Sequence, residues 1–244
     1  MFRNMYMAAT LKDIVNFVAP ELIVSTRLNN RYPNPRVLAH HESTLPEGVS
    51  SDDWFYRYVL FGMRFGLMEG VDEDNFRFEP GRTVTHAEFI TMLGRLYEYA
   101  TNTVIGIPGE GMLYERYLNW AVELDIIHGS ESSDLMPDAP VNYEQSVVFV
   151  YRYVIEALGL SWTDLIPPQP DRDVIGIFNP ALCCHPELSH GALRAARVIE
   201  NAIHLPFDED GRVGFISHPQ DSASRMEALV LLLRIQRIID AKMD

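Results

Sequence analysis

Three times in this 244-residue chain a helix-capping residue is followed three positions later by Glu or Gln: Thr85-His86-Ala87-Glu88, Asn142-Tyr143-Glu144-Gln145 and Ser224-Arg225-Met226-Glu227. This is the capping-box pattern. The first side chain accepts from the backbone N–H three residues on, and the last side chain reaches back to the first residue's own N–H. One occurrence means little. Three, each behind a proline-containing loop and each opening an apolar run, predict three equivalent helix starts. Thr85, Glu88, Asn142, Gln145, Ser224 and Glu227 are assigned that role.

The runs that follow are strongly apolar. Phe89, Leu93, Leu96 and Tyr97 line the first, Val147, Val148, Val150, Tyr151 and Val154 the second, and Leu229, Val230, Leu232, Leu233, Ile235 and Ile238 the third. A helix apolar on most sides belongs at the centre of a fold, so these three helices are expected to pack together. Ahead of each lies another apolar segment: Trp54, Tyr58, Val59, Phe61 and Phe65, then Tyr114, Tyr117, Leu118, Ala121 and Val122, then Leu193, Ala196, Ile199 and Ile203. In the first and third units an acidic turn is followed by alternating aromatic or apolar residues, Asp72 to Phe78 and Asp208 to Phe215, which reads as a turn into a short extended arm.

The fold class expected is therefore mainly α, with three helix–loop–helix repeats and short extended arms in the loops. The divisions are 1–50, an extension with one possible helix near 8–19; 51–100, the first repeat; 101–160, the second; and 161–244, a diverged third. The proline-rich stretch Ile166 to Pro170 is expected to be a stiff connector between the second and third.

These residues resemble the S-layer homology family, whose repeats combine an aromatic-rich first helix, a "G-I-V-x-G" helix end, a "D-G-T-F-x-P" loop and a "T-R-A-E" helix start. The first unit offers Gly66-Leu67-Met68-Glu69-Gly70, Asn75-Phe76-Arg77-Phe78-Glu79-Pro80 and Thr85-His86-Ala87-Glu88. The second offers Trp120-Ala121-Val122-Glu123 and Ile126-Ile127-His128-Gly129, and the third Asp210-Gly211 and Ser224-Arg225-Met226-Glu227. The resemblance implies a pseudo-threefold spindle around a central three-helix bundle. It also implies a non-catalytic module that anchors to cell-wall polysaccharide, an anionic and possibly pyruvylated secondary polymer, at the cell surface. In the family the arginine of "T-R-A-E" meets the acidic sugar groups in grooves between the prongs. Here that position is His86, Tyr143 and Arg225 in turn, and Arg82 lies just before the first cap. An anion there would meet helix N-terminal amides as well as a cation, and an aromatic ring could stack on sugar. The candidate ligand residues are Arg82, His86, Tyr143, Arg225, Trp54 and Trp120. For Trp54 and Trp120, on helical stripes, core packing is the competing role. For His86 and Arg225 it is that of an exposed polar residue.

Other functions find less in the sequence. The formal net charge is −14, lysine occurs only at 12 and 242, and the arginines are scattered, so nucleic acid is not an expected partner. No membrane span and no signal peptide is read in the chain, Lys12, Asp13 and Asn16 interrupting the apolar start. Neither acidic turn satisfies a calcium-loop spacing. Cys183-Cys184, with His185, Glu187 and His190, lacks zinc-site spacing, so no metal and no cofactor is expected. No catalytic motif is found, and residues 1–50 are too few for a separate catalytic domain, so no catalytic residue is assigned. The alternative to wall binding is a spindle that has lost its glycan site and serves as a scaffold, with a protein partner or self-association.

Overall fold

In the computed structural model all three capping residues begin helices. The structure describes residues 46–64, 66–72, 77–106, 112–128, 136–161, 189, 192–196, 199 and 219–243. The helix expected near 8–19, the proline-rich connector and the cysteine pair lie outside these. Helix α1 is Tyr56–Arg64, α2 His86–Thr101, α3 Leu113–Glu123, α4 Tyr143–Arg152 and α5 Arg225–Met243. A π-helical turn, Tyr153–Ala157, extends α4. Among the described residues there is no strand. Of the expected extended arms, residues 73–76 and 208–215 lie outside the described residues, and Arg77 forms a parallel bridge with Glu47. Residues 192–196 are helical, and Ala195, Ala196 and Ile199 join the core.

The capping boxes form as the pattern predicts. Glu88 N–H donates to Thr85 Oγ1 at 3.2 Å and Thr85 N–H to Glu88 Oε2 at 3.0 Å. Asn142 and Gln145 repeat this at 2.8 and 3.0 Å, and Ser224 and Glu227 at 3.3 and 2.9 Å. Helix α3 has half the device, Met112 N–H donating to Glu115 Oε2 at 3.0 Å, since methionine offers no oxygen in return.

A helix also leaves its first two amides unpaired. Here the neighbouring loop takes them. His86 and Ala87 donate to the carbonyls of Ala139 and Pro137 at 2.9 and 2.9 Å. Tyr143 and Glu144 donate to Asp221 and Pro219 at 3.0 and 2.9 Å. Arg225 and Met226 donate to Arg82 and Pro80 at 2.8 and 3.1 Å. Inside these contacts lies a closed ring: Val84 N–H donates to Ala223 O, Ala223 N–H to Val141 O, and Val141 N–H to Val84 O, at 3.0, 2.8 and 3.0 Å. All three ring residues are fully buried. The three junctions thus share one hydrogen-bonding scheme, each helix start seated on the next loop.

Behind the ring the helices touch pairwise. Phe149 of α4 lies 6.0 Å from the His86 ring and 6.1 Å from Phe89 of α2. Helix α5 packs against α1, α2 and α4, with Leu229, Val230, Leu231 and Ile235 fully buried. Helix α3 lies along α2, and the crossing is close because Gly94 has no side chain: a Cβ there would stand 2.2 Å from Cδ1 of Tyr117.

The first two units match in finer detail. Arg95 reaches the carbonyl of Leu67 at 3.2 Å, and Arg152 that of Ile126 at 3.3 Å. Helix α1 ends with Gly66 at φ 67° and Leu67 N–H on Gly62 O at 2.8 Å; α3 ends with Asp125 at φ 55° and Ile126 N–H on Ala121 O at 2.8 Å. The left-handed turn strains aspartate but not glycine. Asp125→Gly should therefore raise stability by about 0.5–1 kcal/mol, read as a higher urea midpoint with an unchanged m-value.

Candidate functional site

The loop after α1 and the start of α2 enclose a groove of about 600 Å³ that is completed by one residue of α5. Its polar walls are Arg77, Arg82, Arg95 and Arg225 against Glu69, Glu79 and Glu88. Four arginines stand against three glutamates, so the groove lining, unlike the chain with its net charge of −14, carries no excess of negative charge. Leu67, Met68, Val71 and Met92 supply an apolar floor, and Tyr114 of α3 stands at the edge.

The glutamates hold the arginines in place. Glu88 caps Thr85 with Oε2 and offers Oε1 to Arg82 Nη2 and, at 3.4 Å, to Arg225 Nη1. Arg95 Nη2 lies 2.9 Å from Glu69 Oε1, and Arg77 Nε 3.3 Å from Glu79 Oε1. Arg82 is 36% exposed and Arg95 17%.

Arg225 differs from the sequence reading, which gave it to ligand or solvent. Its side chain is 3% exposed. Nε donates to Phe78 O at 2.9 Å and Nη2 to Glu69 O at 2.5 Å, with the guanidinium 5.1 Å from the centre of the Phe78 ring. Burial pushes the group down to about 10, Glu88 pulling the other way, so it remains a cation at neutral pH. The expected role of the helix N-terminal amides also needs correcting. The first three amides of α2, α4 and α5 donate to the neighbouring loop and to the cap, so these amides are already engaged and are not offered to an anion.

The remaining candidates fall elsewhere. Tyr143 is half-buried, and its hydroxyl donates to Glu227 Oε1 at 2.7 Å. His86 lines a smaller cavity of about 260 Å³ with His128, Met136, Gln145 and Phe149, its Nδ1 3.3 Å from Met136 O. Trp120 is buried, packed on Tyr97 and Tyr153 at 5.2 and 6.5 Å, which is the core role weighed for it. Trp54 precedes α1 rather than lying in it and is 40% exposed. The sequence reading missed Arg95 and Glu69; the shared helix pattern that pairs Arg95 with Arg152 was the available clue.

Residues 49–90 match the family model of the S-layer homology domain. The chain carries an S-layer homology domain. No curated protein matches the chain. S-layer homology domains are cell-wall-anchoring modules, and this one spans α1, the loop and the capping box that opens α2. Most of the groove wall, from Leu67 to Glu88, belongs to it, while Thr91, Met92, Arg95, Tyr114 and Arg225 come from outside the matched residues. Among the described residues no helix is long and apolar enough to cross a membrane, and no group of three or more His, Cys, Asp or Glu residues is placed to hold a metal ion.

The tyrosines around the S-layer homology domain give a pH dependence. Burial raises Tyr143, helped by its hydrogen bond to Glu227; burial raises Tyr153; burial and then Glu98 raise Tyr117, all from an ordinary value of 10.0. A phenol raised in the folded state stabilises it fully below pH 10, and that contribution is lost as pH climbs towards the raised value. Arg225, lowered to about 10 from 12.5, acts in the opposite sense over that range. With three phenols against one guanidinium, stability should fall above pH 10. Tyr143→Phe should make the fall shallower by at most about 1.4 kcal/mol per pH unit, measured from urea midpoints between pH 8 and pH 11.5.

Proposed function

We propose that the chain anchors to an anionic cell-wall polysaccharide through the arginine-lined groove, as a non-catalytic module. The fold proposed for it is a pseudo-threefold spindle of three diverged repeats, with the ring of Val84, Val141 and Ala223 as its hub. The observation that carries the function is the arginine-lined groove lying largely within residues 49–90, the segment that matches the S-layer homology domain. Partly buried guanidinium groups on a wall with an apolar floor suit a sugar bearing a carboxylate: the fork binds the acid in a charge-assisted pair, and the floor takes the ring's apolar face. The strong negative charge of the rest of the chain would then orient the module, leaving the groove as the surface that faces the polymer.

The unlike junctions support one anion-binding groove rather than three. At the equivalent of Arg225, Tyr143 is neutral and bonded to Glu227, and His86 lies beside Gln145 and Phe149. Co-sedimentation with purified sacculi tests the proposal. The protein should pellet with intact walls at low salt, come off as salt rises, and fail to bind walls from which the acidic secondary polymer has been stripped. Absence of retention by intact walls, with circular dichroism showing folded protein, would leave the scaffold reading in its place.

A further inference from the structure

The groove contains two kinds of arginine. Arg82 and Arg95 keep part of their side chain in solvent, whereas Arg225 is enclosed. Arg225 also differs in its partners. Its fork donates to the carbonyls of Glu69 and Phe78, two backbone segments lying side by side, since Val71 N–H donates to Arg77 O at 2.8 Å. Phe78 N–H in turn donates to Glu47 O at 3.0 Å. One side chain from α5 therefore fastens both sides of the groove wall, 156 and 147 residues away in sequence. Lysine could not do this, because a single ammonium lacks the planar fork that spans two carbonyls and a carboxylate.

Arg82 is bonded otherwise. It gives Nη2 to Glu88, and its Nε lies 4.0 Å from Glu79 Oε2. Arg95 gives Nη1 to Leu67 O and Nη2 to Glu69. Arg82 can turn a donor edge to an incoming carboxylate without breaking any backbone contact, and Arg95 can do so by exchanging Glu69 for the ligand while Nη1 stays on Leu67 O.

We infer that Arg82 and Arg95 are the groove's ligand-facing cations and that Arg225 is a positioning residue, a clasp by which α5 fixes the groove wall at Glu69 and at Phe78. The assignment of ligand-facing cations rests on the wall-binding reading; the clasp does not.

The test uses the full chain with Arg225→Met, Arg225→Lys, Arg82→Gln and Arg95→Gln, and two readouts. The first is amide hydrogen exchange at Val71 and Phe78. It should quicken at least tenfold in both Arg225 variants and stay within about twofold of wild type in the other two. The second is retention on intact sacculi as a function of salt. Arg82→Gln and Arg95→Gln should flatten the salt dependence, having removed a charge that the polymer meets. Arg225→Lys should weaken retention while leaving its salt dependence as in wild type. If Arg225→Met does not fold, Arg225→Lys decides both arms. Unchanged exchange at Val71 and Phe78 in Arg225→Lys overturns the clasp, whatever the sacculi do. A flattened salt dependence in Arg225→Met with none in Arg82→Gln or Arg95→Gln overturns the assignment of ligand-facing cations. Wild-type protein that ignores sacculi overturns that assignment together with the wall-binding reading, and the exchange arm still decides the clasp.

Discussion

Removing residues 219–244 should leave a chain without a cooperative unfolding transition. The segment contains α5 and the third arc of the ring. Its Leu229, Val230, Leu231, Leu232, Ile235 and Ile239 are all exposed by 1% or less. At roughly 1.5–3 kcal/mol for each fully buried side chain, their loss alone approaches or exceeds the 5–15 kcal/mol by which ordinary domains are stable. The truncation also frees the carbonyl of Val141 and the amides of Val84, Tyr143 and Glu144, which lie in or beside the ring. Linear repeat arrays lose stability one neighbour at a time. A closed ring does not, because every junction depends on the other two. Urea unfolding followed by near-ultraviolet circular dichroism checks this. A sigmoidal transition near the wild-type midpoint would show that the first two units stand alone.

The second large effect belongs to the crossing of α2 and α3. Gly94→Leu should destabilise the protein by about 3 kcal/mol or more. Cβ would fall 2.2 Å from Cδ1 and 2.9 Å from Cε1 of Tyr117. That ring cannot swing aside freely, because its hydroxyl donates to Glu98 Oε2 at 3.1 Å and Arg116 lies 4.5 Å from its centre. Even the better helix propensity of leucine, worth about 1 kcal/mol over glycine, would not offset the overlap. The cause can be isolated by a double-mutant cycle with Tyr117→Ala. In the alanine background the cost of Gly94→Leu should fall by at least half, since the two positions are in direct contact. Equal costs in both backgrounds would place the strain elsewhere.

What could be read from the sequence was what is local. A capping box is written in four consecutive residues, so Thr85, Asn142 and Ser224 announced their helices. Apolar spacing announced that α2, α4 and α5 would bury much of their surface, as Leu93, Val150 and Leu229 do. The ring was not legible, because Val84, Val141 and Ala223 take part through backbone groups that every residue has. The same reason hid the clasp. Arg225 finds two of its acceptors in carbonyls, and nothing in Glu69 or Phe78 as residue types foretells them. Position within a motif misled in the same way, since the place that resembles a ligand arginine is here the most enclosed cation in the groove. Trp54 and Trp120 show the limit of periodicity. Both fit an apolar stripe, but only Trp120 has a helix beneath it, and the chain starts α1 two residues after Trp54.

The most direct test of the account is an NMR titration of isotopically labelled full-length protein with acidic polysaccharide released from purified walls. The account predicts saturable shifts of the Arg82 and Arg95 side-chain Nε–H resonances and of backbone amides near Leu67, Glu88 and Thr91, with residues around Trp120 unmoved. Shifts confined to another face, or none at polymer concentrations that block attachment of the protein to walls, would contradict it.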